Sequence, residues 1–101
     1  MSRDSLNELY KQIDLLLSSA DSLPIALLCM PSEQEAILPL LDDYQLFLLD
    51  SEKEKHHLKR ALNQEGCELI LFTSEFEPMI DELFNDGTTF LQDSILLDDY
   101  L

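Results

Sequence analysis

Leu23-Pro24-Ile25-Ala26-Leu27-Leu28-Cys29-Met30 carries no charged side chain and no polar one beyond a thiol and a thioether. A strand that is apolar on both faces must be covered on both faces, which is the situation of a parallel sheet held between helices. Pro24 has no N–H to give to a ladder and fits only at the start of such a strand. Two runs of the same character follow, Gln45-Leu46-Phe47-Leu48-Leu49 and Cys67-Glu68-Leu69-Ile70-Leu71-Phe72-Thr73.

The segments around these runs have helical periodicity. Leu6, Leu9, Tyr10, Ile13, Leu16, Leu17 and Ala20 repeat at i, i+3, i+4 and i+7, with Asp4 or Ser5 to open the helix and Asp21-Ser22 to end it. Ser32 to Leu41 presents Ala36, Ile37, Leu40 and Leu41, with Pro39 expected to kink or shorten it. Ser51 to Glu65 presents Leu58, Ala61 and Leu62 and stops at Gly66. Ser74 to Asp86 presents Phe76, Met79, Ile80, Leu83 and Phe84 and stops at Gly87.

Helix and strand therefore alternate, and the expectation is an α/β fold: one domain over residues 1–101, with a small three-stranded parallel sheet and flanking helices. Thr88-Thr89-Phe90-Leu91 is a candidate fourth, edge strand. Residues 88–101 form an acidic-hydrophobic C-terminal tail, whose Ser94–Leu101 part mixes bulky apolar and acidic residues as docking segments do. At 101 residues a domain buries roughly 65% of its extended surface, enough for a core without metal or disulfide support. Cys29 and Cys67 lie inside apolar runs and read as small buried hydrophobes. No apolar stretch approaches the ~20 residues of a membrane span, and no targeting segment is visible, so the expected location is the cytoplasm.

Charge carries the functional reading. The formal net charge is -15, from 21 acids and 6 bases, and no Lys or Arg follows Arg60. A surface of this kind repels nucleic acid and anionic membranes and steers basic proteins toward itself. One pattern recurs: Ser32-Glu33-Gln34-Glu35, Ser51-Glu52-Lys53-Glu54 and Ser74-Glu75-Phe76-Glu77. Each follows a strand and opens a helix, and each has the Ser and Glu spacing of a capping box, which by itself accounts for the residues. In a parallel sheet the three corners also share one edge, the edge at which such folds bind ligands. Glu33, Glu35, Asp50, Glu52, Glu54, Glu75 and Glu77 are therefore candidate partner-binding residues, joined by Asp81, Glu82, Asp98 and Asp99. Phosphate-binding corners need glycines and bare amides; this chain has two glycines, both at helix ends, and carboxylates where phosphate would sit.

Other chemistry is poorly supported. His56 and His57 lack the i, i+4 spacing of a helical metal pair, and Lys53, Lys55, Lys59 and Arg60 surround them. They read as a solvated basic face on the C-terminal half of a helix, available to the chain's own acids or to a second copy in a homo-oligomer. Asp42-Asp43 and Asp98-Asp99 lack a calcium loop around them. There is no nucleophile elbow and no cysteine with a basic neighbour. No catalytic residue, metal or cofactor is expected.

The expected function is that of an acidic inhibitor, immunity protein or antitoxin, covering the basic face of a nuclease or another nucleic-acid-acting protein. Carboxylates would stand in for phosphates, without direct contact to nucleic acid or membrane. The alternative is a non-enzymatic adaptor or chaperone-like subunit that docks through its apolar first helix or its tail. In size and kind the chain is similar to the small acidic α/β ribonuclease inhibitors of the barstar family, with no shared motif and no residue carried over.

Overall fold

The computed structural model of the chain describes residues 3–16, 24–85, 87 and 89–100. Leu17, Ala20, Asp21, Ser22, Leu23, Asp86, Thr88 and Leu101, which figure in the sequence reading, lie outside them. Strand β1 (Ile25–Leu28) and strand β3 (Leu69–Phe72) are the two continuous apolar runs, and every residue in both is buried. They form the centre of a four-stranded sheet, flanked by β2 (Leu46–Leu48) beside β1 and β4 (Asp93–Leu96) beside β3. All three pairings are parallel, with Ile25 opposite Leu46, Leu28 opposite Phe72 and Leu69 opposite Asp93.

Helices cover both faces. α1 (Arg3–Leu16) and α2 (Pro31–Ile37) lie on one, where Leu9, Ile13 and Ile37 pack on Ile25, Leu27, Leu69, Leu71, Ile95 and Leu97. α3 (Lys55–Glu65) and α4 (Glu77–Asn85) lie on the other, where Leu58, Leu62, Ile80 and Leu83 pack on Ala26, Leu28, Ile70 and Phe72. The alternation of neighbours along β1 and β3 between these two cores is the period of two that a strand imposes. Tyr10 donates to the Leu40 carbonyl at 2.6 Å and Tyr44 to Asp14 at 3.3 Å, fastening α1 to the connection between α2 and β2.

The fold is the α/β class with four parallel strands. The fourth strand begins later than Thr88–Leu91: Gln92 and Asp93 both donate their amides to the Glu68 carbonyl, and the ladder runs from Asp93. Ile95 and Leu97 then turn into the α1 face of the core, so part of the segment read as a docking tail is structural. Pro39 shortens its helix as expected; α2 ends at Ile37 and continues as a 3-10 turn over Leu38–Leu41. Gly66 ends α3 in the left-handed region at φ 70°, giving its amide to Leu62. Among the described residues no helix is long and apolar enough to cross a membrane.

Candidate functional site: the carboxyl edge of the sheet

Because the strands are all parallel, the chain leaves β1, β2, β3 and β4 on the same edge. The strand order β2-β1-β3-β4 places a topological switch between β1 and β3, since α2 leaves β1 on one face and α4 leaves β3 on the other. Open α/β sheets place their binding crevice there. Of the sequence-predicted residues, the fold brings Glu33 to this edge after β1; Asp50, Glu52 and Glu54 after β2; Glu75 and Glu77 after β3; and Asp98 and Asp99 after β4. Glu35 follows within α2, while Asp81 and Glu82 lie farther along α4, exposed and away from the corners.

The corners are not the three capping boxes that the repeated Ser and Glu suggest. After β1 the helix opens two residues earlier, with Met30 as N-cap in place of Ser32 and Pro31 in the first turn, and Ser32 is already helical. Glu33 keeps the reach-back half of the box: its Oε1 accepts from the Met30 amide at 3.1 Å. After β2 no helix begins at Ser51. Asp50 captures the Glu52 amide with its side chain at 3.0 Å and the Lys53 amide with its carbonyl at 3.1 Å, so a turn intervenes and Glu54 becomes the N-cap of α3. An aspartate bonding its own backbone two residues on is a local competitor to helix initiation. After β3, Thr73 precedes a 3-10 turn over Ser74–Phe76, and Ser74 uses its hydroxyl elsewhere.

The bonds Ser74 makes were not legible in the sequence. Its hydroxyl donates to Asp98 Oδ2 at 2.6 Å and its amide to Oδ1 at 3.1 Å, so the segment after β4 is pinned to the corner after β3. Across the switch, buried Thr73 donates its hydroxyl at 3.2 Å to the same Glu33 oxygen that holds the Met30 amide. Glu33 and Asp98, both read as partner-facing, thus also tie the corners together within the chain. The amides of Met30, Glu52 and Ser74, one at each corner, are each occupied by a carboxylate of the chain itself. A phosphate at these corners would have to displace them against a field of like charge.

That field is felt by the nearest buried group. Cys29, at the end of β1, has its thiol pushed up to about 11, by burial first and then by the charges of Glu33 and Glu75. Cys67 is pushed up to about 11 by burial and by Glu65. Both cysteines are buried free thiols, and a thiol so far from its thiolate form is a poor nucleophile. The acids left facing solvent at the edge are Glu52, Glu54, Glu75, Glu77 and Asp99, with Asp50 and Glu35 beside them.

The basic residues are placed otherwise than the sequence suggested. Because α3 starts at Lys55, the residues Lys55, His56 and His57 occupy its first turn instead of its C-terminal half. The dipole does not favour cations there, so it does not account for them. His56 lies 3.4 Å from the Glu54 carboxylate, and the rings of His56 and His57 have their centroids 4.2 Å apart. The ligand atoms of Glu54, His56 and His57 all lie within 4.8 Å of one another, a convergence that i, i+4 counting misses because one donor comes from the N-cap.

No protein-family model matches the chain, and no curated protein matches it. Among solved structures, it is similar to the Mycobacterium tuberculosis fatty acyl CoA synthetase, with a TM-score of 0.67 at 17% identity. The similarity covers 94% of this chain and 20% of that one, so the chain spans about a fifth of the synthetase's length. At that identity the likeness is one of fold.

Proposed function

We propose that the chain is a non-enzymatic, acidic protein-binding module of the cytoplasm that occupies the basic, nucleic-acid-binding face of a nuclease or another nucleic-acid-acting protein. The observation that supports it is the carboxyl edge: a parallel sheet collects acids from four separate corners, on a chain whose last 41 residues contain no Lys or Arg. Glu33, Asp50 and Asp98 hold the corner amides, and Glu52, Glu54, Glu75, Glu77 and Asp99 point their charge outward from that frame. Rigidly spaced carboxylates of this kind resemble a run of phosphates to a cationic surface and give fast, salt-sensitive association.

The test is capture of partners from the native host at 50 and 500 mM salt, followed by assay of the captured protein's nucleic-acid activity with and without the chain. The reading requires a basic partner, retained at low salt, whose activity falls when the chain is added and recovers when Glu75→Lys/Glu77→Lys is added instead. A partner held equally at both salts and indifferent to that charge reversal refutes it.

A second reading is favoured by the structural comparison. A fold that makes up nearly all of this chain recurs as one fifth of a much longer chain, so the same unit also serves as a building block. In that reading the chain is an adaptor or subunit docking through exposed apolar residues such as Leu15, Met30, Leu48 and Phe90. Its signature is binding that survives 500 mM salt and is lost with Phe90→Ser or Leu48→Ser.

A further inference from the structure

We propose that Glu54, His56 and His57 form a surface site for a single divalent transition-metal ion of the zinc or nickel class. Two of the three donors are already at the right separation. Donors each about 2.1 Å from one tetrahedral ion stand roughly 3.4 Å apart, and His56 Nδ1 and Glu54 Oε2 are 3.4 Å apart. The third donor belongs to His57, whose ring stands beside that of His56 and whose ligand atom lies within 4.8 Å of the other two. All three side chains are exposed, which leaves them room to rotate toward a shared ion.

The donor set selects the ion. Two imidazoles and one carboxylate suit zinc, nickel or copper, whereas calcium and magnesium take oxygen ligands almost throughout. Three protein ligands leave at least one coordination position open, to water or to a donor from another molecule. The electrostatics divide. Lys53, Lys55 and the N-terminus of α3 oppose a cation locally, while the net charge of -15 attracts it over longer range. The site is separate from the ties at Glu33 and Asp98.

The experiment is isothermal titration of the untagged chain with zinc chloride and with nickel chloride at pH 7.5, beside calcium chloride as a control. The result expected is one ion per chain for zinc and nickel, a weakening of at least about ten-fold in each of His56→Ala and His57→Ala, and no comparable event with calcium. Circular dichroism on both variants confirms that they remain folded. Absence of a one-to-one event with either transition metal overturns the proposal. So does binding that both histidine variants retain, or binding that calcium matches, since either would assign the ion to the carboxylates of the edge.

Discussion

Removing the Glu33 carboxylate should cost far more than removing any other acid at the edge, because one oxygen serves two corners. In Glu33→Ala, Met30 loses the acceptor for its amide, α2 loses a charge placed well against its positive end, and Thr73 loses the acceptor for its hydroxyl. The dipole contribution is about 0.3–1 kcal/mol. Met30 is exposed and its amide regains water, so that bond is discounted to about 0.5 kcal/mol. Thr73 is 2% exposed and regains nothing, so its stranded hydroxyl costs about 1–2 kcal/mol. The total is about 2–3.5 kcal/mol, or roughly 10–25 °C in Tm for a domain of this size. Glu33→Gln keeps an acceptor and should lose about 1 kcal/mol. The decisive assay is a double-mutant cycle by urea unfolding with Thr73→Val. If the stranded hydroxyl is the main cost, the double variant is more stable than the sum of the singles predicts by about 1 kcal/mol or more. Additivity within about 0.3 kcal/mol would show that the contact across the switch carries no energy, and the account of the tie would be wrong.

Two other outcomes follow from the geometry. Gly66→Ala should lose about 1–2 kcal/mol, all of it from the left-handed backbone at φ 70°, because a Cβ there meets nothing within 4 Å; thermal melts showing a near-neutral change would remove the strain argument, and Gly66→Asn should fall between the two. Stability should decline as pH rises from about 9 to about 11, because the unfolded thiols release their protons near 9.0 while folded Cys29 and Cys67 hold theirs until about 11. The contribution is complete below pH 9 and lost through pH 11; urea midpoints measured across that interval should fall less steeply in Cys29→Ala/Cys67→Ala, the remaining slope coming from Tyr44, whose hydroxyl is pushed up to about 12 by burial and by Asp14, and an unchanged slope would refute the assignment.

The sheet was readable because its central strands are defined by burial, which is written directly as composition: Ile25–Leu28 and Leu69–Phe72 have no polar residue to confuse the pattern. β4 was misplaced because an edge strand has less to declare. Asp93 and Ser94 face solvent and only Ile95 is buried, so the stretch resembles a soluble tail until its ladder with β3 is seen. The corners failed for a different reason. Ser, Asp and Glu each have several local backbone bonds open to them, and neighbours only one or two residues away decide among these. Asp50 turned a helix start into a turn, and with Pro31 in its first turn another helix starts two residues earlier, at Met30. The set of edge acids survived these shifts, since a parallel sheet fixes which end of every strand they leave by. Which of those acids bond to Thr73 or Ser74 depends on residues 24 and 40 positions away in sequence, beyond any local pattern.

The position of β1 in the sheet has a consequence for the chain while it is being made. Synthesis delivers β1 first, β2 next on one side, and β3 on the other only after Leu69 has emerged. Through some twenty intervening residues the nascent chain holds a wholly apolar strand with one edge unpaired, the form of exposure that templates association between ribosome-borne copies. The interval itself is nearly neutral, with Lys53, Lys55, Lys59 and Arg60 beside its acids, but residues 1–48 already carry eight acids against two bases. That excess gives half-built copies a mutual repulsion at the stage when the open edge most needs it.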